Sequence, residues 1–282
     1  MKRIGVLYHP RVPAAEALAH DMAESLPSMG ATAWLCSAWE EDRVRAQAEG
    51  TDLALSVGGD GTILRSARAV APHGVPLVGI NLGRLGFLTE LSPVDAKEKL
   101  PELLAGAGWI EERAMLQARP LTGKETSPFH ALNDVVVARG SMARAVYVTA
   151  LVGGETLATY KGDGVIVSAA TGSTGYSLAM GGPVLHPQSR EIMLTPIAVH
   201  LALPNSIVLP STTELELRVN TDHQAILSVD GQIELELRSN DGVSVELSPY
   251  LTRFLRLRGQ NYFFATLTQR LRNREGEPRI AQ

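Results

Sequence analysis

The stretch Leu53-Ala-Leu-Ser-Val-Gly-Gly-Asp-Gly-Thr62 holds the residues best suited to chemistry. The apolar run Leu53 to Val57 predicts a buried strand, and Ile63 to Ala69 has helical spacing. Between them lie Gly58, Gly59, Asp60 and Gly61. A strand that breaks at a glycine-rich turn into a helix start brings backbone N–H groups to one point. The helix dipole adds positive potential there, so the turn suits phosphate. Asp60 sits inside it. A carboxylate beside bound phosphate is repelled unless it has a task. The available tasks are taking a proton from a hydroxyl nucleophile or holding a metal ion. The competing reading is a Gly-Asp-Gly turn that only changes chain direction.

A second cluster runs Lys161-Gly-Asp-Gly-Val-Ile-Val-Ser-Ala-Ala-Thr-Gly-Ser-Thr-Gly-Tyr-Ser177. A strand predicted over Val165–Ser168 separates two small-residue turns. The second turn, Thr171 to Gly175, offers hydroxyls and unhindered N–H groups at a helix start. That suits ribose or phosphate, and it also suits a capped helix with no ligand. Two Gly-Asp-Gly turns, each beside an apolar strand, point to a shared ligand. Asn133-Asp134 interrupts an apolar strand predicted over Ala131–Ala138, where adjacent side chains lie on opposite faces. If buried, both need partners, and ligand hydroxyls would supply them; a strand end or bulge is the alternative. Asn81-Leu-Gly-Arg-Leu-Gly-Phe87 follows a strand over Val75–Ile80. Ligands collect beyond the carboxyl ends of parallel strands, which would set Asn81 and Asp60 on one crevice; an ordinary glycine-rich loop is the alternative.

Other chemistries lack their residues. The seven histidines show no metal spacing, and there is no His-Glu-x-x-His, no P-loop, no Gly-x-Gly-x-x-Gly and no Gly-x-Ser-x-Gly. The arginines of Arg253–Arg274 read as a solvated strand and helix face. Of 282 residues, 45% are apolar, 20% charged and 5% aromatic, a globular composition with ample core. A formal charge of −4 gives no reason to expect nucleic acid or an anionic membrane as partner. No apolar run approaches a membrane span. The one cysteine, Cys36, excludes an internal disulfide and fits a reducing compartment, and Met1–Pro10 reads as a first strand and not a signal peptide. The expected location is cytoplasmic.

Strands at Ile4–Tyr8, Thr32–Cys36, Leu53–Val57 and Val75–Ile80 alternate with helices at Ala14–Met29, Asp42–Ala48 and Pro93–Leu104, the last capped by Ser92. This predicts a parallel sheet with helices on both faces. After about Trp109 the period becomes two, with further strands at Ala145–Val152, Glu214–Val219 and Val243–Leu247. Asp230-Gly231 marks a hairpin between Ala225–Val229 and Gln232–Leu237. The fold class is therefore an α/β domain with a parallel sheet followed by an antiparallel β domain. The boundaries are set at 1–118 and 119–258. A C-terminal helix, Tyr262–Leu271, lies within a segment 259–282 expected to pack back on the first domain.

With these blocks in order, the chain resembles the NAD kinase family. The match runs through Gly58–Thr62, Gly79–Thr89, Ala131–Val136, Gly162–Ser177, Gly181-Gly-Pro183 and Val229–Gln232. Three details differ from the family pattern: Ala169-Ala170 replaces Thr-Pro, Gly175 replaces Ala, and Lys161 replaces Arg, which keeps charge but loses the planar fork. The resemblance implies phosphoryl transfer from ATP, with Mg²⁺, to the adenosine 2′-hydroxyl of NAD, giving NADP. It also implies a homodimer or homotetramer. Asp60 would be the base, and Gly61 would let the backbone approach. Asn133 and Asp134 would hold ribose hydroxyls or the ligand's far end. Asp163 and the turn Thr174, Gly175, Tyr176, Ser177, Leu178 and Ala179 would contact the nicotinamide side and a neighbouring subunit. Arg65, Arg144, Lys161, Ala198 and Gln232 complete the implied set, with no protein ligand assigned to a metal. A diacylglycerol-type lipid kinase shares the first motif, and a nucleotide-binding regulator without turnover is the non-enzymatic alternative.

Overall fold

The structure is a computed structural model that describes residues 1–83, 86–122, 127–140, 144–199 and 204–275, with 269–275 described by backbone alone. The chain forms two compact units. One comprises Met1–Glu111 and the chain from Arg253 onward; the other is Glu112–Thr252.

In the first unit, β1 (Arg3–Tyr8) pairs in parallel with β2 (Thr32–Ser37) on one side and β3 (Leu53–Val57) on the other. β3 pairs in parallel with β4 (Leu77–Ile80), and Phe254 pairs in parallel with Leu77. Every residue of β3 and β4 is buried, which is why both read as unbroken apolar runs. Helices α1 (Pro13–Ser25), α2 (Glu41–Ala48), α3 (Asp60–Val70) and α4 (Pro93–Leu104) connect the strands. Leu18 and Met22 of α1 and Leu100 and Leu103 of α4 pack with Ile4, Val6, Leu55 and Val57 on one sheet face. On the other face Ser66 of α3 meets Ser56 of β3, Oγ to Oγ 2.9 Å, and Arg68 ties α3 to Glu41 of α2 at 2.8 Å. Ser92 caps α4 in a reciprocal box with Asp95, as its position predicts. The strand order reverses between β1 and β3, so their carboxyl ends flank the switch point where the Asp60 turn begins.

The remaining strands are β5 (Trp109–Pro120), β6 (Phe129–Ala131), β7 (Asp134–Arg139), β8 (Val146–Val152), β9 (Glu155–Gly162), β10 (Gly164–Ser168), β11 (Ile192–Ile197), β12 (Ile207–Leu209), β13 (Leu215–Asn220), β14 (Ala225–Val229), β15 (Ile233–Leu237) and β16 (Gly242–Arg256). The short helix α5 (Tyr176–Ala179) precedes β11, and α6 (Tyr262–Glu275) follows β16. In the second unit, the described strands β12-β11-β10-β7-β14-β15 form one antiparallel sheet, and β16-β13-β8-β9 form another antiparallel arrangement. Val135, Val137, Val165 and Leu227 of the first share a core with Val148, Ala150, Leu217 and Val243 of the second.

Three features depart from the sequence reading. First, the sequence reading placed no strand at β9 or β11: four of the eight residues of β9 are exposed and all six of β11 are buried. Second, the strand expected over Ala131–Ala138 breaks at Leu132 and Asn133 into β6 and β7. Third, Arg256, read as part of a solvated face, is only 6% exposed.

Candidate functional site

Asp60 is the first residue of α3, half-buried, directly beyond β3. The turn is fixed to its neighbours: Gly58 N–H donates to the Ile80 carbonyl at 2.8 Å, and Thr62 N–H donates to the Gly59 carbonyl at 2.9 Å. A Cβ at Gly58 would overlap the Thr62 side chain, so the motif's first glycine is a packing requirement. The Asp60 carboxylate is held from the side. Phe87 N–H donates to Oδ2 at 3.1 Å and Leu88 N–H to Oδ1 at 3.3 Å. A Cβ at Gly86 would run into the same carboxylate. Two donors on two oxygens fix the carboxylate plane, and about two of its four lone-pair directions stay available for a ligand. Thr62 Oγ1, in the same turn, is buried without a hydrogen-bond partner.

Asn81 makes a local turn with Gly83. Its side-chain amide donates to the Gly83 carbonyl at 3.0 Å, and its Oδ1 accepts from Gly83 N–H at 2.7 Å. This local turn spends the amide on the loop itself. Arg84 and Leu85 of the same motif lie outside the described residues. Arg65 lies with its guanidinium 4.6 Å from the Trp39 ring centroid, and Trp39 meets the His9 ring at 4.3 Å. Burial, and then neighbouring Arg68, push the Arg65 guanidinium below its ordinary pKa.

In the second unit, Asp134 opens β7 opposite Ser168, the last residue of β10. Asp230 controls the approach to it. The Asp230 carboxylate accepts from Leu132 N–H at 2.9 Å, Asn133 N–H at 2.8 Å and Asp134 N–H at 3.1 Å. Capture of three successive donors takes Leu132 and Asn133 out of the sheet ladder, which explains the break between β6 and β7. Asn133 is left half-buried in that bend. Asp134 is 7% exposed, and its pKa is raised to about 7, chiefly by burial and then by the Asp230 charge. The Asp134 carboxylate faces the second glycine cluster: a Cβ at Gly175 would lie 3.9 Å from Oδ2. Gly172 packs so closely on the Asn133 carbonyl that a side chain would not fit. Ser168 Oγ and Thr171 Oγ1 are buried without partners beside these residues.

The other implied residues divide. Tyr176 is 43% exposed, and burial, then Asp163 and Asp134, raise its pKa, so all three share one neighbourhood. Asp163 forms a two-pronged pair with Arg139, 2.7 and 3.2 Å. Ala198 adopts a left-handed φ of 45° beside it, with Asp163 N–H donating to the Ile197 carbonyl at 2.9 Å. Thr174 Oγ1 donates to the Thr171 carbonyl at 3.2 Å. Ser177 is fully buried, its hydroxyl bonded to Thr195 at 2.9 Å; Leu178 is half-buried and Ala179 exposed. Gln232 closes the Asp230-Gly231 turn, whose φ values of 53° and 63° match a hairpin turn. Lys161 sits 5.2 Å from the Tyr147 ring, and Arg144 bonds His223. No described contact joins Lys161 or Arg144 to Asp134. Asp60, Gly61 and Arg65 belong to the first unit.

Sequence reasoning missed the Phe87 and Leu88 N–H groups, because backbone donors have no residue-type signature. It placed Asp230 in a turn and in the Val229–Gln232 block, and gave it no role of its own. Among the described residues, no cluster of three or more His, Cys, Asp or Glu could cage a metal ion.

Comparison with known proteins joins the two halves. Residues 7–107 match the family model of the ATP-NAD kinase N-terminal domain, and residues 132–257 match that of the C-terminal domain. An NAD kinase of Dehalococcoides mccartyi is 47% identical over 273 residues, 96% of either chain. One from Chloroflexus aurantiacus is 37% identical over 96% of this chain and 99% of its own. Among solved structures, yeast NADH kinase complexed with NADH shares the fold at TM-score 0.81, 21% identity and coverage of 100% and 90%. The Archaeoglobus fulgidus NAD kinase in complex with ATP superposes at TM-score 0.74, with 26% identity and coverage of 96% and 98%. With both domain types matched in order and near-complete overlap with these relatives, the chain belongs to the NAD kinase family.

Proposed function

We propose that Asp60 is the general base for phosphoryl transfer to NAD, and that Asp134 and the Thr174–Ala179 turn hold the dinucleotide. The reaction is ATP-dependent phosphorylation of NAD to NADP, the activity of the family. A secondary hydroxyl is a weak nucleophile. The proton of the adenosine 2′-hydroxyl passes to Asp60 as its oxygen bonds to the terminal phosphorus of ATP, and the bond from that phosphorus to the leaving ADP oxygen breaks. The observation that carries this reading is the fixed Asp60 carboxylate at a helix start, with about two lone-pair directions not taken by the described residues. The N-terminal end of α3 supplies the phosphate side.

Asp134 is buried, faces Gly175 and receives no donor from the described residues. Ribose or amide donors of NAD would complete it, with Asn133, Ser168 and Thr171 beside it. Asp163, Lys161, Arg144, Ala198 and Gln232 are assigned to the same ligand on the resemblance alone. Mg²⁺ fits as a companion of ATP and not as a caged ion: one carboxylate, Asp60, stands at the phosphate turn, and Mg²⁺ is commonly held by one or two carboxylates plus phosphates and water. When bound, it would neutralise phosphate charge.

The exposed Tyr176, on the turn assigned to a neighbouring subunit, supports a homodimer or homotetramer. Buried, unpaired Cys36 supports a cytoplasmic location. Among the described residues, no helix is long and apolar enough to cross a membrane.

The test is incubation with ATP, Mg²⁺ and NAD, with product read by an NADP-specific dehydrogenase. NAD lacking the adenosine 2′-hydroxyl should give nothing. Phosphorylation of diacylglycerol without NADP formation would replace this reading with the lipid-kinase one.

A further inference from the structure

Arg256 stands in the apolar run Phe254-Leu255-Arg256-Leu257 and is buried. Its guanidinium donates to Glu90 Oε2 at 3.3 Å, to the two Glu111 oxygens at 3.4 and 3.2 Å, and to the Leu88 carbonyl at 3.0 Å. Glu90, 2% exposed, accepts on its other oxygen from Leu257 N–H at 3.0 Å and Arg258 N–H at 2.9 Å. Its own N–H donates to the Gly79 carbonyl in β4 at 2.8 Å. One cation therefore faces two buried carboxylates. A cluster of this kind often contributes less stability than apolar residues of the same volume would, so its value has to be sought in geometry.

Leu88 shows where that geometry acts. Its carbonyl accepts from Arg256 and its N–H donates to Asp60, so one peptide segment links the buried cluster to the turn carboxylate. The planar fork of an arginine holds a carbonyl and two carboxylates in fixed directions at once, which a lysine ammonium does not. We infer that Arg256, braced by Glu90, is a positioning residue for Asp60: it sets the Phe87–Leu88 segment whose N–H groups aim the carboxylate. This rests on Asp60 being the base.

The experiment is a double-mutant cycle on the full chain, with ATP-dependent NADP formation as readout. The four proteins are the parent, Arg256→Lys, Asp60→Asn and the double variant, each checked for folding by circular dichroism. Arg256→Lys should lower kcat by roughly 10- to 100-fold, since about 1 Å of misplacement costs that much. KM for ATP and NAD should each stay within about 3-fold, and in the Asp60→Asn background the same change should cost under about 3-fold in kcat. An equal cost in both backgrounds, or a kcat within about 2-fold of the parent, overturns the positioning role. Asp60→Asn with near-parental kcat overturns the base itself, a separable result because it needs no Arg256 variant. If Arg256→Lys does not fold, Glu90→Gln replaces it in the cycle. That variant keeps an acceptor for Leu257 and Arg258 while dropping the charged contact, and the same two patterns decide.

Discussion

Asp60 and Asp134 are the same side chain in opposite settings. Asp60 is half-buried and held by two backbone N–H donors at the start of a helix. Asp134 is nearly sealed, receives no donor from the described residues, and lies near the charge of Asp230. The first arrangement fixes the direction of the carboxylate. The second leaves one without a donor among the described residues, which a ligand rich in hydroxyls would supply. Burial and Asp230 push Asp134 up to about 7, so its charge state is open to change near neutrality, and bound hydroxyls would favour the ionised form.

The contrast predicts that the two residues fail differently. Asp60→Asn should keep the fold and lower kcat by roughly 10²–10⁴, the range for losing a positioned base. Retained turnover in the folded variant would erase the distinction between the two carboxylates. Asp134→Ala should act on binding: KM for NAD should rise about 10-fold or more, with KM for ATP changed far less, as for a lost hydrogen bond to a charged group. Equal shifts for both substrates would show that Asp134 does not single out the dinucleotide.

The smallest effect concerns pH. Because the folded-state value of Asp134 lies above its ordinary one, its contribution to ligand-free stability is full below about pH 4 and is lost as pH rises through about 7. Binding of hydroxyl donors runs the other way, since they favour the ionised form. KM for NAD should therefore fall roughly 3- to 10-fold between about pH 6 and 8. Asp134→Asn should flatten both trends, in KM and in thermal midpoint. A parental KM that is level across this range would place Asp134 away from the ligand's donors.

Much of the site was legible because its motifs are local. Gly58–Thr62 read as a strand, a tight turn and a helix start, and each depends on residues within one or two turns of chain. The Ser92 cap and the Asp230-Gly231 hairpin were readable for the same reason. Arg256 was not, because its periodic neighbours Arg253 and Arg258 are exposed or half-buried and spacing alone does not separate them. Nor was the bend at Leu132–Asn133, which a distant carboxylate imposes against a run of strand-forming residues.

By itself the sequence determined the alternation of strands and helices in the first unit, the change from an α/β to an antiparallel pattern, and the placing of Asp60 at a helix start. Apolar periodicity and glycine sterics act over a few residues and leave a direct trace in the chain. Tertiary structure alone decided what each carboxylate meets. Asp60 takes its donors from 27 and 28 residues away, Asp230 braces a strand 96 to 98 residues away, and Arg256 reaches Glu90 across 166. Sheet register brings those groups together, and only then do burial and the like charge of Asp230 set Asp134 apart from Asp60.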